Sequence, residues 1–316
     1  MSAAAIAAVV IGRNEGERLI RCLRSLQGQV QQLVYVDSGS TDGSAAAARD
    51  LGAAVVDLDL SQPFTAARAR NAGLAALEPG IGFVQFVDGD CEVVPGWIAT
   101  AADFLQAHPK AAVACGRRRE RFPEATVYNR LCDAEWDTPA GEAKACGGDA
   151  LMRVAAVYTA GGYRDGLIAG EEPELCLRLR RAGWQVWRLE AEMTLHDAQM
   201  LRFGQWWNRS RRAGHAFAEG AALHGAGAER HWVAETRRAL LWGAALPAVI
   251  LMGGLLSPSL LLAALIYPAQ VLRLSRRMGF EHALFTVLGK FAEAAGALEF
   301  YWRRWRGSAR GILEYK

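Results

Sequence analysis

The sequence predicts an α/β fold with a mostly parallel sheet over roughly its first 200 residues, followed by a hydrophobic helical region. Three observations support this prediction. Short apolar runs alternate with helical patterns up to about residue 200. Residues 1–199 carry 20 Lys and Arg against 26 Asp and Glu, whereas residues 200–316 carry 16 against 7. Finally, 34 consecutive residues, 239–272, contain no charged side chain. We therefore expect an acidic body and a basic, apolar tail.

Each predicted strand is a brief apolar run that ends at a turn or polar residue, which is typical of strands buried on both faces. Because helical patterns lie between these runs, we expect parallel pairing and ligand binding at the carboxyl ends of the strands. The five predicted strands are Ala5–Ile11, Gln32–Val36, Ala53–Val56, Gly82–Val87 and Ala111–Cys115.

The helices predicted between these strands are amphipathic. In the first of them the leucines and Ile20 share one face, while the arginines lie elsewhere. Ser44 is expected to cap the second helix. The four predicted helices are Glu17–Leu26, Ser44–Leu51, Thr65–Leu77 and Trp97–Ala107.

Pro258 divides the uncharged run into two apolar arms of about 15–18 residues each, whereas a spanning helix needs about 20. We expect a transmembrane helical hairpin; a hairpin that lies in the interface or packs on the body is the alternative. Arginines flank both ends, which predicts that both face the cytoplasm. The predicted divisions are a body over residues 1–202, linker helices over 203–238, the hairpin over 239–275 and an amphipathic basic helix over 276–316.

The remaining composition indicates a reducing compartment. The six cysteines form no C-x-x-C pair, so free thiols are predicted. The apolar N-terminal run lacks a basic region before it, and no signal peptide is predicted.

Two acidic clusters follow predicted strands. Asp37 ends the second strand and precedes small, flexible residues, an arrangement that suits binding of a base or ribose. A turn and helix cap over residues 42–44 is the alternative role for this segment. Asp88 and Asp90 end the fourth strand, where neighbouring buried carboxylates need a cation. Their oxygen ligands favour Mg²⁺ or Mn²⁺, and a surface turn is the alternative.

Three further residues could act beside these clusters. Arg70, early in the third helix, could bind a diphosphate, or could be a solvated helix residue. Glu172 lies near the start of a helix that closes at Gly183, where it could cap the helix or act as a general base. His196 could ligate the metal or lie in the core.

Together these motifs resemble the family 2 glycosyltransferases with a GT-A fold, over about residues 5–200. The resemblance rests on Ile11-Gly12-Arg13-Asn14-Glu15, Val36-Asp37-Ser38-Gly39-Ser40-Thr41-Asp42-Gly43, Ala69-Arg70-Asn71-Ala72-Gly73, Asp88-Gly89-Asp90 and Gly170-Glu171-Glu172.

The resemblance implies inverting transfer of a sugar from a nucleotide-diphosphate donor. It implies that Asp37 binds the nucleobase of the donor, Asp88 the ribose and Asp90 the metal. It also implies that the general base is Glu172 or Glu171. The implied donor-binding set is Asp37, Arg70, Asp88, Asn14 and Glu15; the metal set is Asp90 and His196, with Mg²⁺ or Mn²⁺. The Q-x-x-R-W motif of processive synthases is not matched by Gln205-Trp206-Trp207-Asn208-Arg209, so transfer of a single sugar is expected.

The expected partners are a nucleotide-sugar donor, a glycan or lipid-linked acceptor and membrane lipids, but not nucleic acid. We expect the cell inner membrane as the location, with the catalytic body in the cytoplasm. Trp206 and Trp207 could bind the acceptor or could belong to a plain packing helix. Residues 282–305 show an interfacial amphipathic pattern.

Two other functions fit parts of the sequence. A sugar-nucleotide pyrophosphorylase would carry a glycine-rich, lysine-bearing first turn, which residues 11–15 do not provide. A catalytically silent, membrane-bound sugar-nucleotide-binding scaffold would not need Asp88, Asp90 and Glu172 together.

Overall fold

A computed structural model describes residues 4–307, and these residues form two compact units. The first unit comprises the described residues up to Leu167 together with Glu171–Gln199. The second comprises Ile168–Gly170 together with the described residues from Met200 onwards. The last nine residues of the predicted C-terminal helix, 308–316, lie outside the described part of the chain.

The first unit is built on one mixed sheet. Within residues 4–307 the strands are β1 Ala5–Gly12, β2 Gln32–Asp37, β3 Ala54–Asp57, β4 Ile81–Asp88, β5 Cys91–Val93, β6 Ala111–Glu120, β7 Gly141–Ala143, β8 Ala150–Arg153 and β9 Gln185–His196. Their order is β3-β2-β1-β4-β8-β6-β9-β5, with β7 paired to β9. The predicted parallel pairing holds for β3, β2, β1 and β4, and also for β6 with β9. The short strands β5, β7 and β8 pair antiparallel, so the sheet is less uniformly parallel than predicted.

Helices of the first unit connect these strands. They are α1 Glu17–Leu26, α2 Ser44–Asp50, α3 Ala66–Ala75, α4 Trp97–Ala107, α5 Val127–Glu135, α6 Val154–Thr159 and α7 Glu171–Arg181. Thr65 caps α3 by accepting the N–H of Arg68 at 3.0 Å. The predicted serine cap of α2 is wrong: Gly43 occupies the N-cap position, and the Asp42 carboxylate accepts the N–H of Ser44 at 3.0 Å. A carboxylate two residues earlier forms the turn and leaves the hydroxyl of Ser44 no capping role there.

The parallel register places acidic residues at one edge of the sheet. Asp37 of β2 pairs with Gly12 of β1, and Asp88 of β4 pairs with Ile11 on the other side of β1. At the far side of the sheet, Glu120 at the end of β6 pairs with His196 at the end of β9. The carboxyl ends of these parallel strands therefore collect the side chains that the sequence analysis singled out.

Strand β6 extends five residues beyond the predicted end at Cys115. The apolar pattern stops there, but the following arginines find carboxylate partners: Arg117 pairs with Asp133, and Arg118 pairs with Asp88 and Asp149. The strand also carries irregularities of register between Cys115 and Arg118. Paired charges therefore continue a strand that local hydrophobicity would end.

The second unit is helical. Its helices are α8 Phe203–His224, α9 Val233–Leu240, α10 Leu246–Leu256, α11 Ile266–Met278 and α12 Phe280–Arg306, with a π-helical turn Leu241–Ala245 and a 3₁₀ segment Pro258–Leu265. Close contacts at glycines join α12 to α8: a Cβ at Gly214 would meet the Glu293 backbone, and one at Gly296 the Arg211 carbonyl. One face of the predicted interfacial helix thus packs on α8.

Two helical stretches among the described residues, Val233–Leu256 and Pro258–Met278, are long and apolar enough to cross a membrane by length and composition. They have 24 and 21 residues, longer than the predicted arms, because each helix continues into flanking polar sequence. Large apolar side chains here are exposed, among them Leu255, Leu256 and Met252.

Candidate active site

Arg70 is the centre of a buried acidic cluster. The residue is only 2% exposed. Its Nη2 lies 2.8 Å from Oδ1 of Asp88, and its Nη1 lies 2.9 Å from Oε1 of Glu171 and 2.8 Å from Oε1 of Glu172. One guanidinium from α3 therefore joins the end of β4 to the first turn of α7. Direct binding of a diphosphate by Arg70 stays a prediction, since the described contacts of its guanidinium are with protein carboxylates.

Arg118 is a second, half-buried cation at this site, and sequence reasoning missed it. Its Nη2 lies 2.9 Å from Oδ2 of Asp88, and its Nε lies 2.9 Å from Oδ2 of Asp149. Asp149 in turn accepts the backbone N–H of Asp88 at 3.1 Å and the hydroxyl of Thr194 at 2.7 Å. Burial alone would raise the pKa of Asp88, but Arg70 and Arg118 lower it below its ordinary value. Asp88 is therefore held as a carboxylate.

A glycine allows the loop before β8 to approach this cluster. A Cβ at Gly148 would lie 2.6 Å from Oδ2 of Asp88 and 2.8 Å from Nη2 of Arg70. Any side chain there would have to displace the ion pair, so the backbone is the only part of residue 148 that fits.

Glu171 and Glu172 are the first two residues of α7, and both are buried. The pKa of Glu172 is raised from 4.5 to about 7: burial raises it most, Arg70 opposes this, and Glu171 adds to the rise. A carboxyl group with a pKa near neutrality can accept a proton from a substrate and release it again. The geometry therefore provides a candidate general base at the edge of the acidic cluster.

Asp90 and His196 lie together beside this cluster. Oδ2 of Asp90 and Nε2 of His196 are 3.3 Å apart, and both residues are buried. Burial alone would lower the pKa of His196, but Asp90 and Glu120 hold it above its ordinary value.

The donor set of this pair fits a divalent cation. Carboxylate oxygen and imidazole nitrogen are both ligands of Mn²⁺, and carboxylate oxygen suits Mg²⁺. Cys91 has its sulfur within reach of the same atoms. Burial raises the pKa of the Cys91 thiol well above its ordinary value, and its Sγ donates to Oδ1 of Asp90 at 3.6 Å. Asp90 and His196 carry the oxygen and nitrogen that suit these ions, and Cys91 lies beside them as a third candidate ligand.

Asp37 and Asn14 organise the loops at the other side of β1. Oδ2 of Asp37 accepts the N–H groups of Gly39 and Ser40 at 3.0 and 2.8 Å, and Oδ1 accepts the Tyr35 hydroxyl at 2.9 Å. The Asn14 side chain accepts the N–H of Thr41 at 2.7 Å, with Asn14 itself at φ 55°. These bonds hold the turn that follows β2 against the loop that follows β1.

An open cavity of about 560 Å³ lies beside these loops. Asn14 and Glu15 line it, together with Arg121 and Asp197. Neither Asp88 nor Glu172 lines this cavity, but Asp197 donates its N–H to the carbonyl of Asp90 at 3.1 Å. The cavity is thus next to the candidate metal ligands and separate from the candidate base.

The predicted site residues therefore fall into three groups. The structure brings Arg70, Asp88, Glu171 and Glu172 into one ion-pair cluster, and it brings Asp90 and His196 into contact. Asp37, Asn14 and Glu15 lie at the neighbouring loops. Of the missed residues, Arg118 and Glu120 had one sequence signal, the run of charged residues 117–121 shortly after an apolar strand pattern, and Asp149 had none.

Comparisons with known proteins bear on the family and the fold. Residues 8–155 match the family model described as Glycosyl transferase family 2. The chain is 32% identical over 129 residues to a TPR repeat-containing protein of Synechococcus elongatus, a match that covers 40% of this chain and 30% of that protein. It is 29% identical over 184 residues to the succinoglycan biosynthesis protein ExoA of Rhizobium meliloti, covering 54% of this chain and 56% of ExoA. The matches thus span less than two thirds of the length of either relative.

Solved structures share the fold. The mannosyltransferase PcManGT from Pyrobaculum calidifontis, in complex with GDP-Man and Mn²⁺, matches with a TM-score of 0.66 at 20% identity, over 95% of this chain and 87% of that one. A fragment of S. aureus TarS matches with a TM-score of 0.52 at 16% identity, over 95% and 91%. The predicted α/β architecture with an apolar helical C-terminal region is confirmed. The matched segment, residues 8–155, is thus similar to glycosyltransferase family 2, and the first unit has the GT-A fold.

Proposed function

We propose that this protein transfers a single sugar, with inversion, from a nucleotide-diphosphate donor to a glycan or lipid-linked acceptor. The observation that supports this proposal most strongly is the ion-pair cluster around Arg70. The guanidinium of Arg70 contacts both Asp88 and Glu172. Similarity to the family supports glycosyl transfer as the class of reaction. The name of the relative ExoA, a succinoglycan biosynthesis protein, supports a glycan as the acceptor.

Glu172 is proposed as the general base. Its pKa of about 7 means that a large share of the side chain is ionised at neutral pH. An ionised Oε atom can take the proton of the acceptor hydroxyl as that oxygen attacks the anomeric carbon, which opens the bond to the leaving diphosphate. Arg70 holds this carboxylate in place through its Nη1 at 2.8 Å and balances its charge. Glu171, on the same Nη1, is the alternative base.

Asp90 and His196 are proposed as the residues that would hold a divalent metal. When bound, Mg²⁺ or Mn²⁺ neutralises charge that develops on the leaving diphosphate. The Mn²⁺ in the PcManGT complex supports this assignment by analogy of fold. Asp90 and His196 would supply one oxygen and one nitrogen ligand, and substrate oxygens and water would supply the others.

The donor is proposed to lie along the carboxyl edge of β1, β2 and β4. Asp88 has the most exposed carboxylate of the Arg70 cluster, at 29%, and is suited to accept hydrogen bonds from a ribose. Asp37 is proposed to contact the nucleobase of the donor. Asn14 and Glu15 lie on the neighbouring loop, beside the open cavity.

The second unit is proposed to hold the protein at the cytoplasmic face of the cell inner membrane. The stretches Val233–Leu256 and Pro258–Met278 support spanning helices. Arginines 237, 238, 273, 276 and 277 flank the uncharged run, which favours both ends on the cytoplasmic side and attracts anionic lipid. At the end of α12, Trp302 and Trp305 are exposed among arginines, as expected at headgroup depth.

The proposal is tested by incubating the detergent-solubilised full chain and Mn²⁺ with a panel of nucleotide sugars and with membrane lipid or oligosaccharide acceptors. Release of a nucleoside diphosphate together with a glycosylated acceptor is expected, and the anomeric proton coupling of the product should show inversion. Formation of nucleoside triphosphate from nucleotide sugar and pyrophosphate would instead indicate a pyrophosphorylase. Binding without any release would indicate a silent scaffold.

A matched pair of variants links the activity to the site. Glu172→Gln should abolish release of the nucleoside diphosphate. Glu192→Gln makes the same chemical change at an exposed carboxylate that pairs with Arg119, and should leave the release unchanged. Equal activity of both variants would refute the proposed base.

A further inference from the structure

Glu120 is a buried carboxylate to which the proposed function gives no role. It is the last residue of β6, it is 4% exposed, and its register partner on β9 is His196. A buried carboxylate at such a position is costly unless its oxygens are satisfied, so its contacts indicate what it does.

Every contact described for the carboxylate of Glu120 is with a nitrogen atom. Oε1 accepts the backbone N–H of Phe122 at 3.2 Å and the side-chain amide of Asn129 at 3.3 Å. Oε2 accepts the backbone N–H of Ala198 at 3.2 Å and lies 3.3 Å from Nδ1 of His196. Because both oxygens act as acceptors, Nδ1 of His196 is the atom that carries the hydrogen of this contact.

The tautomer determines what the other ring nitrogen can do. When the imidazole is neutral, its hydrogen on Nδ1 leaves the lone pair of Nε2 facing Oδ2 of Asp90, 3.3 Å away. In that state the two acceptor atoms could together bind one cation, which would replace the proton on Nε2. The ring is also held from the side by Trp136, whose indole meets it edge-on with 4.8 Å between centroids.

We infer that Glu120 is a positioning residue that holds the imidazole of His196 as a metal ligand, and that this nitrogen makes the site prefer Mn²⁺ over Mg²⁺. The inference rests on the metal site of the proposed function. A histidine that donates its second N–H to a carboxylate is a stronger and better oriented ligand. Mg²⁺ favours oxygen ligands and retains its waters, whereas Mn²⁺ gains more from a nitrogen donor.

The test measures metal binding directly. The full chain in detergent is titrated with Mn²⁺ alone, and the free ion is followed by its electron paramagnetic resonance signal, with Mg²⁺ as competitor. Glu120→Gln should weaken Mn²⁺ binding by about 10–100-fold and should narrow the preference for Mn²⁺ over Mg²⁺. The amide has one acceptor oxygen in place of two and no charge. Glu192→Gln, the same change on the exposed part of β9, should bind Mn²⁺ like the unaltered chain.

Equal Mn²⁺ affinities of folded Glu120→Gln and the unaltered chain would overturn the inference. If Glu120→Gln does not fold by circular dichroism, the unaltered chain still decides the question, because equal affinities for Mn²⁺ and Mg²⁺ refute the preference. The proposed function fails separately, if no nucleotide sugar releases a nucleoside diphosphate while Mn²⁺ is bound. Release of the diphosphate with an unchanged Glu120→Gln titration refutes the positioning role alone.

Discussion

Replacing Glu172 by glutamine is expected to abolish turnover and, at alkaline pH, to stabilise the fold. The amide keeps the shape of the side chain but cannot take a proton. A loss of about 10²–10⁴-fold in turnover is expected if Glu172 is the general base. The gain in stability follows from the burial that raises its pKa.

The size of this gain in stability follows from the pKa shift of Glu172. A carboxyl group whose pKa rises from 4.5 to about 7 on folding makes the ionised folded state less stable by about 3 kcal/mol. That pKa is already the net result of burial and of the contacts with Arg70 and the helix terminus, so about 3 kcal/mol is available for the neutral amide to recover above pH 7. This corresponds to roughly 6–12 °C in melting temperature for a unit of this size.

The raised pKa of Glu172 also determines how the stability of the fold changes with pH. Between pH 4.5 and about 7 the folded protein holds a proton that the unfolded chain has released, so its stability falls as the pH rises through this interval. Glutamine lacks this dependence. The melting temperatures of Glu172→Gln and the unaltered chain, measured by intrinsic fluorescence, should therefore coincide below pH 4.5 and separate by pH 8.

A variant that melts below the unaltered chain at pH 8 would refute this reasoning, because the carboxylate would then be stabilising where it lies. Glu171→Gln is the matched comparison for turnover, since both glutamates contact Nη1 of Arg70. If only Glu171→Gln loses turnover, Glu171 is the base.

Four further outcomes are expected. Asp90→Ala should abolish Mn²⁺-dependent donor binding, measured by calorimetry, because an oxygen ligand and its charge are lost together; unchanged affinity would exclude the metal assignment. Gly148→Ala should lower turnover more than tenfold, since its Cβ would displace the Asp88–Arg70 ion pair; a kinetic assay showing full activity would contradict the close approach. The rate kcat/KM should fall as the pH drops through about 7, where Glu172 takes up a proton; a flat profile would contradict this. The full chain should resist extraction from membranes by carbonate, because we propose that Val233–Leu256 and Pro258–Met278 span the membrane; release without detergent would show a peripheral tail.

The elements of the first unit were largely predictable from sequence. Helices α1 and α4 begin and end at the predicted residues, and β1 and β2 end one residue later than predicted. These segments have a clear hydrophobic period or a short apolar run, and local sequence determines both. Strand β6 was predicted five residues too short, because the pairing of Arg117 and Arg118 that continues it involves residues elsewhere in the chain.

The acidic residues of the candidate site could be predicted from the sequence, whereas the buried contacts of its arginines could not. Asp88, Asp90 and Glu172 stood out because carboxylates at strand and helix termini are conspicuous in an apolar sequence. Arg118 did not, because it is one of three consecutive arginines and no local pattern tells which of them turns inward. The second unit shows the same limit: the predicted arms were too short, since the helices continue into the flanking polar sequence.

The sequence by itself determined the order of strands and helices, the acids at their ends and the apolar run, because these depend on local periodicity and composition. Only the tertiary structure decided which groups meet. Arg70 contacts Glu171 across 101 residues of sequence, and Glu120 contacts His196 across 76. The register of β6 on β9 and the packing of α3 and α7 bring these pairs together. The charge balance of the site, and with it the pKa of Glu172, follows from those distances and from burial, which no local pattern of residues encodes.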